Sequence, residues 1–367
     1  MYKRIRKIVA NYIPTIIKTG LLTGMPGTYR LFEIKASSCN ILITNRCNLR
    51  CVMCRQWRQP SGRELSADEW KKIIQDFKKN GIKNVHFSGG EPLLRGDLED
   101  LISFSRRNGL TVGLTTNGML LDEGRLDGLI KAGLRSVVVS IDALGDEYAK
   151  IRGISGSFAK VEESAILISN MKKRKGIDAS VNFTLMKDTI RHFEDVKDLA
   201  DSLSLPVSVC LLDKNSSIFQ VDENRETFWI RKNKEFDRFL EILKAAKRKK
   251  PKSLLLSFPA IGYIERYFDD PRQGKIPCVS SQDRINIDPY GNLLGGCYAM
   301  GAFGNLKDRP LADLRKETRY RAAKKNMFYK RCAGCSCGYP YNIRCMPKLV
   351  IEDILTRLRY ALFKNAI

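Results

Sequence analysis

At 367 residues the chain is too long for one ordinary domain. Its 43% hydrophobic and 28% charged residues fit a globular protein and exclude a disordered or membrane-spanning one. Lys+Arg 64 against Asp+Glu 40 leaves +24, which favours anionic partners. Two histidines, His86 and His192, exclude a histidine-rich metal site, so the eleven cysteines carry the information.

Met1–Lys18 is basic at Lys3, Arg4, Arg6 and Lys7, but Asn11, Pro14 and Lys18 interrupt its apolar stretch and no small-residue cleavage site follows. No run approaches the roughly 18 apolar residues of a spanning helix. The chain is therefore expected in the cytoplasm, where thiols stay reduced and clustered cysteines read as metal ligands. Ile5, Ile8, Val9, Tyr12, Ile13, Ile16 and Ile17 recur at helical spacing, so residues 1–37 form a basic amphipathic segment.

From 38 to 221 short apolar runs alternate with amphipathic stretches. The runs are Asn40–Thr44, Ile82–Ser88, Thr111–Thr116, Leu134–Ile141, Asp178–Met186 and Pro206–Leu212. Ser66-Ala-Asp-Glu69 is a capping box opening the first helix. Six strand–helix units predict a parallel sheet with right-handed crossovers, α/β in class and a partial (β/α)6 TIM-like barrel, short of the eight units that close. Ser180, Asn182 and Thr184 share one face of the fifth strand, and polar inner faces of this kind predict an open cavity.

Residues 222–275 read as a basic helical linker carrying Lys247-Arg248-Lys249-Lys250. From 276 to 345 the texture changes: Ile285-Asn-Ile287 and Pro289-Tyr-Gly-Asn292 predict a β-hairpin within a small cysteine-rich hairpin and helix domain. Residues 346–367 form a C-terminal amphipathic helix with Ile351, Ile354, Leu355, Leu358 and Leu362 in one stripe beside Arg357, Arg359 and Lys364. Both basic ends could lie on an anionic membrane or cap the barrel.

Directly after the first strand stand Cys47, Cys51 and Cys54, spaced C-x3-C-x2-C. Three thiolates on a loop can wrap one corner of an iron–sulfur cubane and leave one iron open to a small molecule. A zinc site would need a fourth ligand that is not nearby. The second strand ends in Ser88-Gly89-Gly90-Glu91-Pro92, the third in Thr115-Thr116-Asn117-Gly118, and the fourth in Ser140-Ile-Asp142, with Arg152-Gly153 beyond.

With these residues, roughly 38–213 resembles the radical S-adenosylmethionine (radical SAM) superfamily. The resemblance implies that Cys47, Cys51 and Cys54 hold a 4Fe–4S cluster that chelates S-adenosylmethionine. It implies contacts to that ligand from Gly89, Gly90, Glu91, Asn117, Ser140, Arg152 and Asn182. A backbone carbonyl beside the glycines would approach its ammonium group, and Arg152 would bind its carboxylate. The residue before the third cysteine is often aromatic in this family; here it is Met53.

Cys278, Cys297, Cys332, Cys335, Cys337 and Cys345 resemble the auxiliary-cluster domain of the same superfamily, in its twitch or SPASM form. The resemblance implies one auxiliary 4Fe–4S cluster on Cys278, Cys297, Cys332 and Cys335, with Cys337 and Cys345 as alternates. The spacing departs from the longer form, since the late run is C-x2-C-x1-C-x7-C. Cys39 and Cys210 read as buried thiols.

The implied chemistry is reductive cleavage of S-adenosylmethionine and hydrogen abstraction by the resulting 5′-deoxyadenosyl radical, leading to oxidation or cross-linking. The implied donor is a flavodoxin or ferredoxin. The substrate stays open between a peptide, as for a maturase of a ribosomal peptide, a small molecule and a lipid-linked intermediate. Asp142 and Asp213, near strand ends, are the candidate catalytic bases. The competing reading is a basic zinc protein that binds nucleic acid, but it leaves Gly89-Gly90-Glu91-Pro92 unexplained and shows no aromatic platform.

Overall fold

A computed structural model describes residues 14–25, 29, 31, 33–59, 62–212, 227–271, 276–332 and 338–362. Strands form at all six predicted runs: β1 (Ser38–Thr44), β2 (Asn84–Gly89), β3 (Thr111–Thr116), β4 (Leu134–Ser140), β5 (Asp178–Leu185) and β6 (Val207–Leu211). The hairpin supplies β7 (Arg284–Ile287) and β8 (Leu293–Gly295), and the sheet runs β6-β5-β4-β3-β2-β1-β7-β8. All neighbours are parallel except β7 and β8.

Helices alternate with the first six strands because each carries one apolar stripe. In Ala67–Phe77, Trp70, Ile73, Ile74 and Phe77 fall on one face and are buried. Its start is the predicted capping box: the Ser66 hydroxyl accepts from the Glu69 amide, and the Glu69 carboxylate accepts from the Ser66 amide.

The strands are apolar on the helix-covered face, with Cys39, Ile41, Phe87, Leu114, Val139 and Phe183 fully enclosed. The opposite face carries half-buried Asn40, His86, Thr115, Ser140 and Asn182. Gly113 makes room there: a Cβ would stand 2.6 Å from His86 Nδ1 and 2.5 Å from Ser136 Oγ. The His86 ring Nε2 is 2.7 Å from Thr115 Oγ1.

Both flanks of the six-stranded core are covered. β7 pairs with β1 from Ser38↔Arg284 to Ile41↔Ile287. At the other flank the Val207 amide donates to Ser253 O and the Leu255 amide to Val207 O, both at 2.8 Å. The segment Tyr339–Arg344 spans between them. The Tyr339 hydroxyl donates to Val209 O of β6 at 3.0 Å, and the Tyr341 hydroxyl donates to the Asp283 carboxylate beside β7 at 2.9 Å.

The helix Lys234–Lys249 is packed onto the barrel rather than merely linking two parts. Phe236, Phe239, Leu240 and Leu243 are buried, with Phe239 edge-on to Phe193 at 4.8 Å. Lys247, in the basic run, is buried too, and its ammonium donates to Pro251 O at 2.6 Å and Leu254 O at 3.1 Å. Its methylenes complete the apolar face while its head caps a turn.

Candidate active site

Residues 45–54 leave β1 as a loop with little regular structure, so neighbouring segments must fix its backbone. On one side the Gly90 amide donates to Thr44 O at 2.7 Å and the Glu91 amide to Arg46 O at 2.8 Å. On the other, the Arg50 amide donates to Arg152 O and the Val52 amide to Ile151 O, both at 3.0 Å. Three glycines permit this closeness. A Cβ would lie 2.4 Å from Thr44 O at Gly89, 2.1 Å from Arg46 O at Gly90 and 2.5 Å from Arg50 O at Gly153. The sequence assigns the first two to admitting a ligand; the structure supplies a second cause, close backbone packing against the cysteine loop.

Each of the three sulfurs faces an N–H donor. The Leu49 amide points at Cys47 Sγ (3.5 Å), Arg152 Nη1 at Cys51 Sγ (3.6 Å) and the Gln56 amide at Cys54 Sγ (3.4 Å). Asn117 Nδ2 adds a longer contact to Cys47 Sγ at 3.9 Å. Donors converging on sulfur stabilise thiolates, the form that ligates metal. Burial by itself pushes the Cys47 thiol up and the Cys54 thiol up to about 11, so a bound metal must displace their protons. Among the described residues no three His, Cys, Asp or Glu side chains converge as the ligands of a single ion would. Three thiolates on one loop suit three corners of a cubane with the fourth left open, whereas a structural zinc ion takes four protein ligands.

Glu91 is fully enclosed and braces two strand ends. Its carboxylate accepts from the Leu93 amide (3.0 Å), the Thr116 hydroxyl (2.8 Å) and the Asn117 amide (2.7 Å). Burial raises its pKa to about 7 against these three donors. Asn117 Nδ2 donates to Asn48 Oδ1 at 2.8 Å, tying the end of β3 to the cysteine loop. Ser140 and Asn182 pair in register on the half-buried polar face, and the Ser208 hydroxyl donates to Asn182 Oδ1 at 3.0 Å. Met53 is buried in the core.

The candidate base Asp142 requires a correction. It is 0% exposed, ion-paired to Arg152 Nη2 at 2.5 Å, and accepts from the Thr184 amide at 2.7 Å. A carboxylate so enclosed does not meet a substrate; it positions Arg152 and the end of β5. Asp213 lies outside the described residues.

Sequence patterns missed the contribution of Glu64 and Tyr290. The Glu64 carboxylate accepts from the Thr44 hydroxyl (2.9 Å) and the Asn45 amide (2.7 Å). Asn45 Nδ2 donates to the Tyr290 hydroxyl at 3.0 Å, so the hairpin turn touches the cysteine loop. Glu64 sits in no motif, and Tyr290 is read from sequence only as part of the Pro289-Tyr-Gly-Asn292 turn, so nothing local points either residue at the cysteine loop.

In the C-terminal region Cys278, Cys297 and Cys332 are half-buried. Ser280 and Ser281 wedge between two glycines: a Cβ on Gly296 would stand 2.0 Å from Ser281 O, and one on Gly338 2.6 Å from Ser280 Cβ. Cys278 thereby lies in the same neighbourhood as the chain entering Cys297 and the chain leaving Cys337. Cys335 and Cys337 themselves lie outside the described residues. Cys345 is fully buried in a small apolar cluster with Leu22, Tyr29, Ile34, Val279 and Phe328, where burial pushes its thiol up to about 12. Cys39 is likewise buried, in the main core.

Comparison with known proteins agrees with this geometry. Residues 41–200 match the Radical SAM superfamily. The chain is 33% identical over 166 residues to an Fe-coproporphyrin III synthase of Methanosarcina barkeri, covering 45% of this chain and 41% of that one. It is 28% identical over 289 residues to a PqqA peptide cyclase of Gluconobacter oxydans, covering 74% of each. Among solved structures, Streptococcus suis SuiB bound to S-adenosylmethionine shares the fold at a TM-score of 0.60 and 17% identity, covering 79% of this chain and 68% of SuiB. Native anSMEcpe with bound AdoMet does so at 0.60 and 17%, covering 89% of this chain and 97% of its own. Radical SAM proteins bind a 4Fe–4S cluster and S-adenosylmethionine, which together supply a carbon-centred radical by one-electron cleavage of the sulfonium. With its cysteine loop held between the end of β2 and the end of the helix Gly145–Arg152, residues 41–200 of this chain carry a Radical SAM domain on a parallel sheet.

Proposed function

We propose that this enzyme abstracts hydrogen from a peptide, giving net oxidation or a cross-link, with one auxiliary 4Fe–4S cluster held in residues 276–345. The observation that carries the radical chemistry is the N–H donor facing each of Cys47, Cys51 and Cys54. Ser140 and Asn182, paired in register and half-buried on the polar face of the sheet, are suited to the sugar or carboxylate of S-adenosylmethionine. Support for the peptide comes from the peptide-cyclase relative, whose match runs over 289 residues, well past 41–200. A small molecule or lipid-linked intermediate is the alternative substrate. The contact of Ser281 with Gly296 supports Cys278 and Cys297 as two of the auxiliary ligands, with Cys332 and Cys335 proposed as the others on the resemblance. A flavodoxin or ferredoxin is the proposed electron donor.

Anaerobic reconstitution tests this. About eight irons per chain are expected, four for each cluster. Replacing Cys47, Cys51 and Cys54 together by Ala should leave about half of that iron and stop release of 5′-deoxyadenosine. Undiminished release, or a colourless zinc protein, sinks the reading. For the substrate, fractionated native extract is added and 5′-deoxyadenosine followed. Stimulation abolished by prior protease treatment of the extract supports a peptide, and stimulation that survives it selects the alternative.

A further inference from the structure

Along the helix Pro347–Leu362, Leu349, Val350, Asp353 and Thr356 are half-buried while Ile351, Glu352, Ile354 and Leu355 are exposed. The Phe258 amide donates to the Asp353 carboxylate at 3.0 Å, which turns the half-buried side toward the helix Phe258–Tyr267. Ile351, Ile354 and Leu355, at i, i+3 and i+4, stand on the other side at 58%, 51% and 52% exposure. Single exposed apolar residues need no explanation, but three grouped on one turn of helix do. The sequence left open whether this stripe caps the barrel; in the structure these three residues do not.

Charge indicates what covers them. Lys348 and Arg344 are exposed at the start of this helix, and Glu352 is the one exposed acid among residues 347–356. Arg357, Arg359 and Lys364 follow in sequence with no further acid. The other terminus comes alongside: a Cβ on Gly20 would stand 3.3 Å from Pro347 Cγ. That helical stretch, 14–24, exposes Ile17 at 55%, and the chain before it is basic at Lys3, Arg4, Arg6 and Lys7 with no acid. Apolar side chains flanked by cations suit the boundary between lipid headgroups and acyl chains.

We propose that the helix Pro347–Leu362 docks the enzyme on an anionic bilayer, Ile351, Ile354 and Leu355 entering the interface and Lys348 and Arg344 meeting lipid phosphates and carboxylates. The inference is independent of the substrate. It brings the enzyme to the bilayer without crossing it, and among the described residues no helix is long and apolar enough to cross.

The full chain is sedimented with vesicles of phosphatidylcholine alone or with a quarter phosphatidylserine, at about 0.05 M and about 0.5 M salt. Binding to the anionic vesicles at low salt, and release at high salt, is expected. The triple variant Ile351→Ser, Ile354→Ser, Leu355→Ser should bind about tenfold more weakly or worse, with its circular dichroism unchanged because all three side chains are exposed. Lys348→Glu should weaken binding at low salt only. Wild-type protein left in the supernatant with anionic vesicles at low salt overturns the proposal, as does a triple variant that binds undiminished. Concentration-dependent dimerisation that the triple variant abolishes, without any vesicle binding, assigns the stripe to a second copy of the chain and equally overturns it.

Discussion

Asp142, two residues past β4, and Arg152, at the end of the helix Gly145–Arg152, form an ion pair at 2.5 Å that is closed to solvent on both sides. Arg152 holds the cysteine loop twice, by its carbonyl to the Arg50 amide and by its guanidinium to Cys51 Sγ. The carboxylate thus acts on the cluster loop through a single intermediary. Removing it strands a buried cation beside the sulfur. Asp142→Ala should cost about 3–5 kcal/mol of stability in urea unfolding, whereas replacing both partners by apolar residues of similar size should cost less. Equal losses in the two variants would show that the pair does not act as a unit.

Gly90→Ala should abolish iron uptake by the core site without unfolding the barrel. A methyl there would have to share space with Arg46 O, 2.1 Å away, and push the cysteine loop off β2. Gly96→Ala is the matched control, since nothing lies within 4 Å of its Cβ position, and its stability should change by less than about 0.5 kcal/mol. Iron per chain after reconstitution, read beside far-ultraviolet circular dichroism, separates the two.

Cys345 and Cys332 should behave oppositely. Cys345→Ala removes volume from a closed apolar cluster, so it should lose about 1–2 kcal/mol of stability and keep its iron. Cys332→Ala, at a half-buried position, should keep its stability and lose about half of the iron. Iron loss in the Cys345 variant would return that residue to the ligand set.

His86 should make the fold sensitive to acid. Burial lowers its pKa from 6.5 to about 4, with Arg284 adding to the effect, so the folded state holds the neutral ring. A depressed basic group stabilises the fold above pH 6.5, and that contribution is lost as pH falls toward 4. The loss amounts to up to about 3 kcal/mol. The urea midpoint of wild-type protein should therefore drop more steeply between these values than that of His86→Asn. Parallel curves would remove His86 as the source.

The six core strands were legible because alternation of apolar and polar residues is a local property; Thr111–Thr116 has the same bounds in sequence and structure. The hairpin was legible too, but not its partner. Nothing within Arg284–Ile287 signals that it pairs with β1, since a parallel register depends on a strand far away in the chain. The cysteine loop could be read from spacing, whereas its clamps could not. Gly90 and Gly153 have their meaning only once Arg46 and Arg50 are folded against them. Asp142 shows the same limit, because a carboxylate at a strand end looks alike whether it faces substrate or a buried arginine.

The β1–β7 pairing also bears on synthesis. Ser37 and Asp283, hydrogen-bonded beside these strands, are 246 residues apart. At about 5–20 residues per second, β1 waits on the order of 10–50 s on the ribosome before β7 exists. Throughout that interval one side of β1 offers unpaired backbone groups next to Ile41 and Ile43, the kind of template on which a second nascent chain can add. A fragment ending near residue 221 would keep that edge permanently. Its expression should end in aggregates, and solubility should return only when the hairpin is restored in the same chain.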